Sequence, residues 1–179
     1  MGNLQKYRIV FQGLSEGVHE FDFDVDDAFF EKLDYSEIKK GDLKVNVVLL
    51  KKSTFLELDF DITGFVELVC DRCLDEFKQK IKYKGKLFVK FSEADEDLAE
   101  DVIILMPGEH ELDISHYIYE SISLSIPLKR VHPRDKKGNP TCDPEMLNRL
   151  KNYIIDEPAG ENVDPRWEDL KKFMANNNN

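Results

Sequence analysis

Between residues 55 and 69 the even positions Leu56, Leu58, Phe60, Ile62, Gly64, Val66 and Leu68 are apolar or glycine, while the odd positions carry Glu57, Asp59, Asp61, Thr63 and Glu67. A period of two predicts a strand with one face buried and the other wet. After Cys70-Asp71-Arg72-Cys73-Leu74 the alternation resumes with its parity reversed. Phe77, Ile81, Tyr83, Leu87, Val89 and Phe91 are now odd, and Lys78, Lys80, Lys82, Lys84, Lys86 and Lys90 are even. An antiparallel hairpin that sets odd residues opposite even ones puts both apolar sets on one side. It also puts Glu57, Asp59, Asp61 and Glu67 on the same side as the lysines. A slip of one residue would undo both arrangements.

The flanking patterns predict the remaining elements. Residues 7–11 are a short apolar-rich stretch ended by Gly13 and Gly17, and residues 19–26 alternate Phe21, Phe23 and Val25 against Glu20, Asp22, Asp24 and Asp26. Asp26 or Asp27 can cap a short helix that runs to Leu33. Gly41-Asp42 reopens extended structure, with Val45, Val47 and Leu49 alternating up to Lys52. Residues 92–101 read as an acidic loop, 102–106 as a short strand and Pro107-Gly108 as a turn. Asp113 can cap a helix from Ile114 that carries Ile118 and Ile122 and stops before Pro127. The alternation of residues 122–126 leaves a strand open as the alternative there. Residues 129–141 form a basic loop, and Asp143-Pro144-Glu145 opens a helix to about Tyr153. Residues 156–160 read as linker, and Asp164-Pro165 starts a last helix striped by Trp167, Leu170, Phe173 and Met174. The expectation is a single α+β domain over residues 1–175 with a disordered tail over 176–179. Its largely antiparallel, twisted sheet has about five to seven strands and is open to barrel-like closure, with about three or four helices mainly from the C-terminal half.

Composition narrows the function classes. The 179 residues are 41% hydrophobic and 34% charged, enough for one core and a well-solvated surface. No window reaches the roughly 18 apolar residues of a membrane span. The N-terminus lacks an apolar signal region, and Lys6 stands where a myristoylation signal needs Ser or Thr. Three cysteines do not make a disulfide framework for this size, so the expected location is the cytoplasm. The net charge of -11 repels nucleic acid and anionic lipid on average. The charge is segregated, however. Residues 77–91 hold six lysines and no acid, carrying +6 and leaving -17 for the rest, and residues 129–137 carry +4. Residues 92–113 hold nine acids and no Lys or Arg.

Two constellations invite chemistry. Cys70-x-x-Cys73 lies at the tip of the hairpin, where two thiolates on a tight turn form half of a structural zinc site. Cys142, with His132 ten residues before it, supplies the other candidates. The set Cys70, Cys73, Cys142 and His132 would staple the tip to the C-terminal part. Its spacing matches no common zinc finger, and reduced thiols that simply pack at the tip remain open. Redox activity is disfavoured, because the motif joins two strands and does not start a helix. The second constellation is the lysine row. Successive lysines lie about 6.8 Å apart by strand rise, so five of them span about 27 Å, a length that can track a phosphate backbone. Neutralisation by the opposing acids, or lysine protection of a sheet edge, competes with that reading. No run of aromatic residues accompanies the lysines for base stacking. His19, His110, His116 and His132 have no triad or metal spacing among themselves, and no nucleophile-elbow, phosphate-loop or dinucleotide motif occurs. An enzyme is not expected.

The stretch from Val66 through Cys70-Asp71-Arg72-Cys73-Leu74 to Phe77 resembles the signature of the YceD-like family, the large ribosomal RNA subunit accumulation proteins of bacteria and plastids. That signature is an apolar strand running into Cys-x-Arg-Cys-Leu, then Phe and a second strand. Ile126-Pro127-Leu128, a cysteine-bearing loop and the terminal stretch from Asp164-Pro165-Arg166-Trp167 to Leu170 follow in the same order. Many relatives carry further cysteines in the C-terminal loop, where this chain has only Cys142. The resemblance implies a non-enzymatic ribosome-assembly factor needed for accumulation or processing of large-subunit ribosomal RNA. In that reading Arg72, Lys78, Lys80, Lys82, Lys84 and Lys86, with Lys129, Arg130, Arg134, Lys136 and Lys137 of the basic loop, face ribosomal RNA or a precursor particle. The acidic flanks would meet basic ribosomal proteins. The alternative is a zinc-stapled protein–protein module with only an indirect link to RNA. The sequence leaves the oligomeric state open.

Overall fold

The computed structural model describes residues 4–91, 102–106 and 108–153. In chain order these form a 3-10 turn (Leu4–Tyr7), β1 (Arg8–Val10), β2 (Gly17–Val25), α1 (Asp27–Glu31), β3 (Gly41–Lys51), β4 (Phe55–Val69) and β5 (Glu76–Phe91). They continue with β6 (Val102–Leu105), β7 (Glu111–Asp113), α2 (Ser115–Leu124) and α3 (Pro144–Tyr153). The chain divides into two units, residues 1–143 and a second beginning at Pro144. The acidic loop, Pro107, the linker, the last helix and the Asn tail expected from sequence lie outside the described residues.

The β4–β5 hairpin takes the register that the alternation requires. Leu58 lies opposite Leu87, Ile62 opposite Tyr83 and Leu68 opposite Phe77, while Asp59 faces Lys86 and Asp61 faces Lys84. Leu56, Leu58, Ile62, Val66, Ile81 and Val89 are buried, and the lysines lie on the solvent face. The sheet extends outward in the order β2-β3-β4-β5-β6, antiparallel except for the parallel β5–β6 pair. β2 and β6 are its two edges, so the sheet is open rather than barrel-like. A second sheet pairs β1 with β7, and Arg8 is ion-paired there with Glu111 and Asp113.

The local chemistry explains the helix starts. Asp26 is extended and accepts a hydrogen bond from the Phe29 N–H at 3.2 Å, which caps α1. The cap drives Phe29 and Phe30 into the core, where Phe29 meets the Tyr7 ring edge-on at 4.7 Å. Replacing Asp26 by Ala is expected to cost about 1 kcal/mol, read as a lowered urea midpoint at unchanged slope. At α2, Asp113 Oδ1 accepts from both the N–H and the hydroxyl of Ser115. Residues 122–124 belong to that helix, so the strand alternative falls away. Ile118 and Ile122 point into the core, and Tyr117 lies over Phe60 with ring centroids 4.5 Å apart. The Tyr117 hydroxyl donates to the Lys86 carbonyl at 3.1 Å, so Tyr83, 3.1 Å away, is the donor to Tyr117. α3, described by itself, carries the i,i+4 ion pair Glu145–Arg149 and no buried residue.

Candidate metal centre

The turn between β4 and β5 aims its thiols inward. The Cys70 N–H donates to the Asp75 carbonyl at 2.9 Å, and the Leu74 N–H donates to the Cys70 carbonyl at 3.0 Å. Leu74 takes φ 65 to close the turn, a left-handed conformation that costs a leucine about 1 kcal/mol or more. Cys70 and Cys73 are 0% and 4% exposed as a result, and the Arg72 N–H points at Cys70 Sγ from 3.5 Å.

The basic loop is fastened to this tip. The Asp71 N–H donates to the Arg130 carbonyl at 2.7 Å, and the Arg130 N–H donates to Asp71 Oδ2 at 2.8 Å. Two residues on, the His132 ring packs on Phe77 at 5.0 Å and brings Nδ1 to 3.3 Å from Cys73 Sγ. Cys142, 4% exposed, returns to place its Sγ 3.8 Å from that of Cys70. All four ligand atoms lie within 4.8 Å of one another. Tetrahedral zinc, with Zn–S near 2.3 Å and Zn–N near 2.0 to 2.1 Å, sets ligand atoms about 3.8 Å apart for two sulfurs and about 3.5 Å apart for sulfur and nitrogen. The Cys70–Cys142 separation of 3.8 Å and the Cys73–His132 separation of 3.3 Å match those edges, and three thiols with one imidazole are a zinc-type donor set.

The thiols are electrostatically unequal. Burial pushes the Cys70 thiol up, but the backbone N–H groups of Cys73, Arg72 and His132 and the His132 ring outweigh it and bring its pKa down to about 6. Cys142 moves up to about 11 through burial, its hydrogen bond to Cys70 and the negative charge of its neighbouring thiolates. Donors to sulfur stabilise a thiolate, as they do around a metal-bound sulfur.

The basic candidates fall into two groups. Lys129, Arg134, Lys136 and Lys137 are exposed, while Arg72 and Arg130 are half-buried. Arg130 is ion-paired with Glu37 at 3.2 Å. Asp135, the acid of this loop, accepts from Asn139 and from the Lys137 N–H; these bonds, Asn139's first, hold its carboxyl below its usual range. It therefore ties residues 134–140 into a turn. On β5, Lys84 is 2.8 Å from Asp61, and Lys86 meets Glu57 at 2.6 Å and Asp59 at 3.3 Å, so both pKa values are raised by those acids. Among the described residues Lys80 and Lys82 have no carboxylate partner. Lys78 stands 4.2 Å over the Phe65 ring.

Sequence reasoning missed the Asp71–Arg130 clamp and the half-exposed neighbours of the tip. Val69 and Leu74 are 53% and 68% exposed and, with Lys39, Lys40, Leu68 and Arg130, line a groove of about 280 Å³. The exposed leucine directly after Cys73 was the available signal for that groove. Nothing in the sequence pairs residue 71 with residue 130.

These features define a small α+β protein with a thiol–imidazole cluster beneath a basic loop. Residues 58–174 match the family described as large ribosomal RNA subunit accumulation protein YceD, and the chain belongs to that family. The family carries a general link to the ribosome. No curated protein and no solved structure matches the chain.

Proposed function

We propose that this chain is a non-enzymatic accessory factor in the accumulation of large-subunit ribosomal RNA. It binds RNA through a basic loop that a zinc ion holds on the hairpin tip. The observation that carries the reading is the docking of residues 129–142 on Cys70, Asp71 and Cys73. The reading is supported by this attachment of the segment bearing Lys129, Arg134, Lys136 and Lys137 to the hairpin tip that bears Arg72, in a chain whose formal net charge is -11. A chain this acidic needs a concentrated basic patch to hold RNA, because its average field opposes binding. Cys70, Cys73, His132 and Cys142 would hold the ion, which supplies cross-linking and no reaction step.

Reversing Lys136 and Lys137 to Glu is expected to weaken binding to large-subunit ribosomal RNA and to flatten its salt dependence by about one unit per lost phosphate contact. Reversing Lys84 is expected to do less, because Asp61 already holds that ammonium. Filter binding across a salt series measures both. Unchanged affinity and slope in the Lys136/Lys137 variant would remove direct RNA contact by the loop. The second reading, a zinc-stapled module for a protein partner, is favoured by the exposed Val69 and Leu74 beside the same cluster. It predicts binding that survives the lysine reversals and fails on Leu74→Asp.

A further inference from the structure

β2 is the outer edge of the five-stranded sheet, and its free backbone groups can be identified. The Lys52 N–H bonds to the Phe55 carbonyl and the Glu67 N–H to the Lys40 carbonyl, so the even residues of β3 are the ones bonded to β4. The odd residues of β3, from Leu43 to Lys51, then bond β2, through its own odd residues. The N–H and C=O groups of Val18, Glu20 and Asp22 therefore point away from the sheet, and no described residue meets them. At the next even position the outward Asp24 carbonyl accepts from the Tyr7 hydroxyl at 3.0 Å and from Lys6 at 3.2 Å, which ends the free edge there.

The side chains along this edge have an unmet preference that the same sheet satisfies elsewhere. On the solvent face, Asp59 and Asp61 of β4 lie opposite Lys86 and Lys84 of β5 and are ion-paired with them. Glu20, Asp22 and Asp24 of β2 form a second acidic row on that face. Their inward neighbours are Val48, Asn46, whose amide donates to Asp22 Oδ1 at 3.0 Å, and Lys44, and on the outer side no described strand pairs with them. On the opposite face His19, Phe21 and Phe23 are only half-buried. An acidic strand here is completed by a lysine strand, and among the described residues β2 has none.

The geometry points to β2 as a docking edge for an extended, lysine- or arginine-rich segment of a partner protein, added as a sixth strand. Its basic residues alternate with apolar ones: the basic set lies opposite Glu20 and Asp22, and the apolar set covers Phe21 and Phe23. Main-chain hydrogen bonds supply the affinity and the alternation supplies the specificity. A second copy of the chain is disfavoured, because an antiparallel β2 pair sets acid against acid. Residues 92–101, with six acids and no base, and residues 154–179, with six acids against three bases, are the wrong charge for this edge. The proposal is independent of the RNA reading and survives its failure.

The test uses the full chain and a labelled peptide of about eight residues alternating lysine and valine, with an isomer of the same composition whose lysines are contiguous. Fluorescence anisotropy should show the alternating peptide binding about tenfold or more tightly than the isomer, and its binding should protect the Val18, Glu20 and Asp22 amides from hydrogen exchange. Asp22→Pro removes one outward N–H at an edge position that tolerates proline and should weaken binding about tenfold, whereas Asp22→Asn, which keeps that N–H, should weaken it less. The Glu20→Lys/Asp22→Lys variant, which leaves the β2 backbone unaltered, should bind at least tenfold more weakly. Equal binding of the two peptides, or unchanged affinity in both the proline and the double-lysine variants, overturns the proposal. So do edge amides already protected in the dilute chain, which would reveal a covering segment of its own, or protected only at high concentration, which would reveal a second copy.

Discussion

Purified protein is expected to carry about one zinc per chain, and replacing Cys70 and Cys73 together by Ser should abolish it. The two serines remove half the donor set, and a hydroxyl is a poor substitute for a thiolate at a sulfur-rich site. Structural zinc in small fingers contributes roughly 10 to 16 kcal/mol, most of it as folding free energy. Here the sheet has its own buried core, so the loss falls first on the attachment of residues 129–142 to the tip. A drop of at least about 3 kcal/mol, or about 10 °C in melting temperature, is expected together with fast amide exchange throughout that loop. The Asp71–Arg130 bonds remain, but two exposed hydrogen bonds contribute only about 1 kcal/mol each. Elemental analysis of the wild-type and double-serine proteins, with exchange at residues 129–142, decides it. A metal-free wild-type chain whose loop exchanges slowly would mean that the reduced thiols hold the tip by packing alone.

The candidate site was only partly legible in the sequence. Cys70 and Cys73 announce themselves through their spacing on a hairpin turn. His132 and Cys142 could be named as the remaining candidates but not placed, because their approach depends on a loop with no periodicity. What seats that loop is the Phe77–His132 stacking and the Asp71–Arg130 clamp, both long-range. The hairpin was legible for the opposite reason: fifteen residues of β4 and sixteen of β5 repeat one binary choice, and burial and charge agree on a single register. The helix starts at Asp26 and at Pro144 were legible because capping is local chemistry. β7 was not, since three residues with a single apolar position carry no period; its pairing with β1 is decided by the chain entering α2. The parallel β5–β6 pairing likewise depends on a crossover that alternation cannot report.

The lysine row shows how charge read along the chain overstates charge in space. Six lysines within residues 77–91 promise a cationic track. The register that buries the apolar face also delivers Asp59 and Asp61 to Lys86 and Lys84. What the sheet leaves unpaired is displaced to its ends: Lys80 and Lys82 toward the tip on β5, and the acids of β2 on the far edge. Basic and acidic surfaces thus occupy different strands of one small acidic chain.

Gly64→Ala is expected to be among the most destabilising single substitutions in β4, by at least about 3 kcal/mol, or about 10 °C in melting temperature. Gly64 sits mid-strand opposite Leu43 on one side and Ile81 on the other, with φ 152, a conformation that L residues rarely adopt. A Cβ built there would lie 2.2 Å from the Asp42 carbonyl oxygen and 2.6 Å from Leu43 Cα. Both are backbone atoms of β3, so no side-chain rotation relieves the clash, and the two strands must separate where the sheet continues toward the tip. Gly85 interrupts β5 for a milder reason: the space above it is filled by the Tyr83 ring, a side chain that can swing away. Gly85→Ala should therefore cost less than Gly64→Ala, chiefly by loosening the Tyr83–Tyr117 hydrogen bond. Gly13→Ala, with nothing within 4 Å of the new methyl, should stay within about 0.5 kcal/mol of the parent. Chemical denaturation of the three variants gives the order directly, and a Gly64→Ala protein as stable as the Gly13→Ala protein would mean that β3 and β4 do not approach as closely as this register requires.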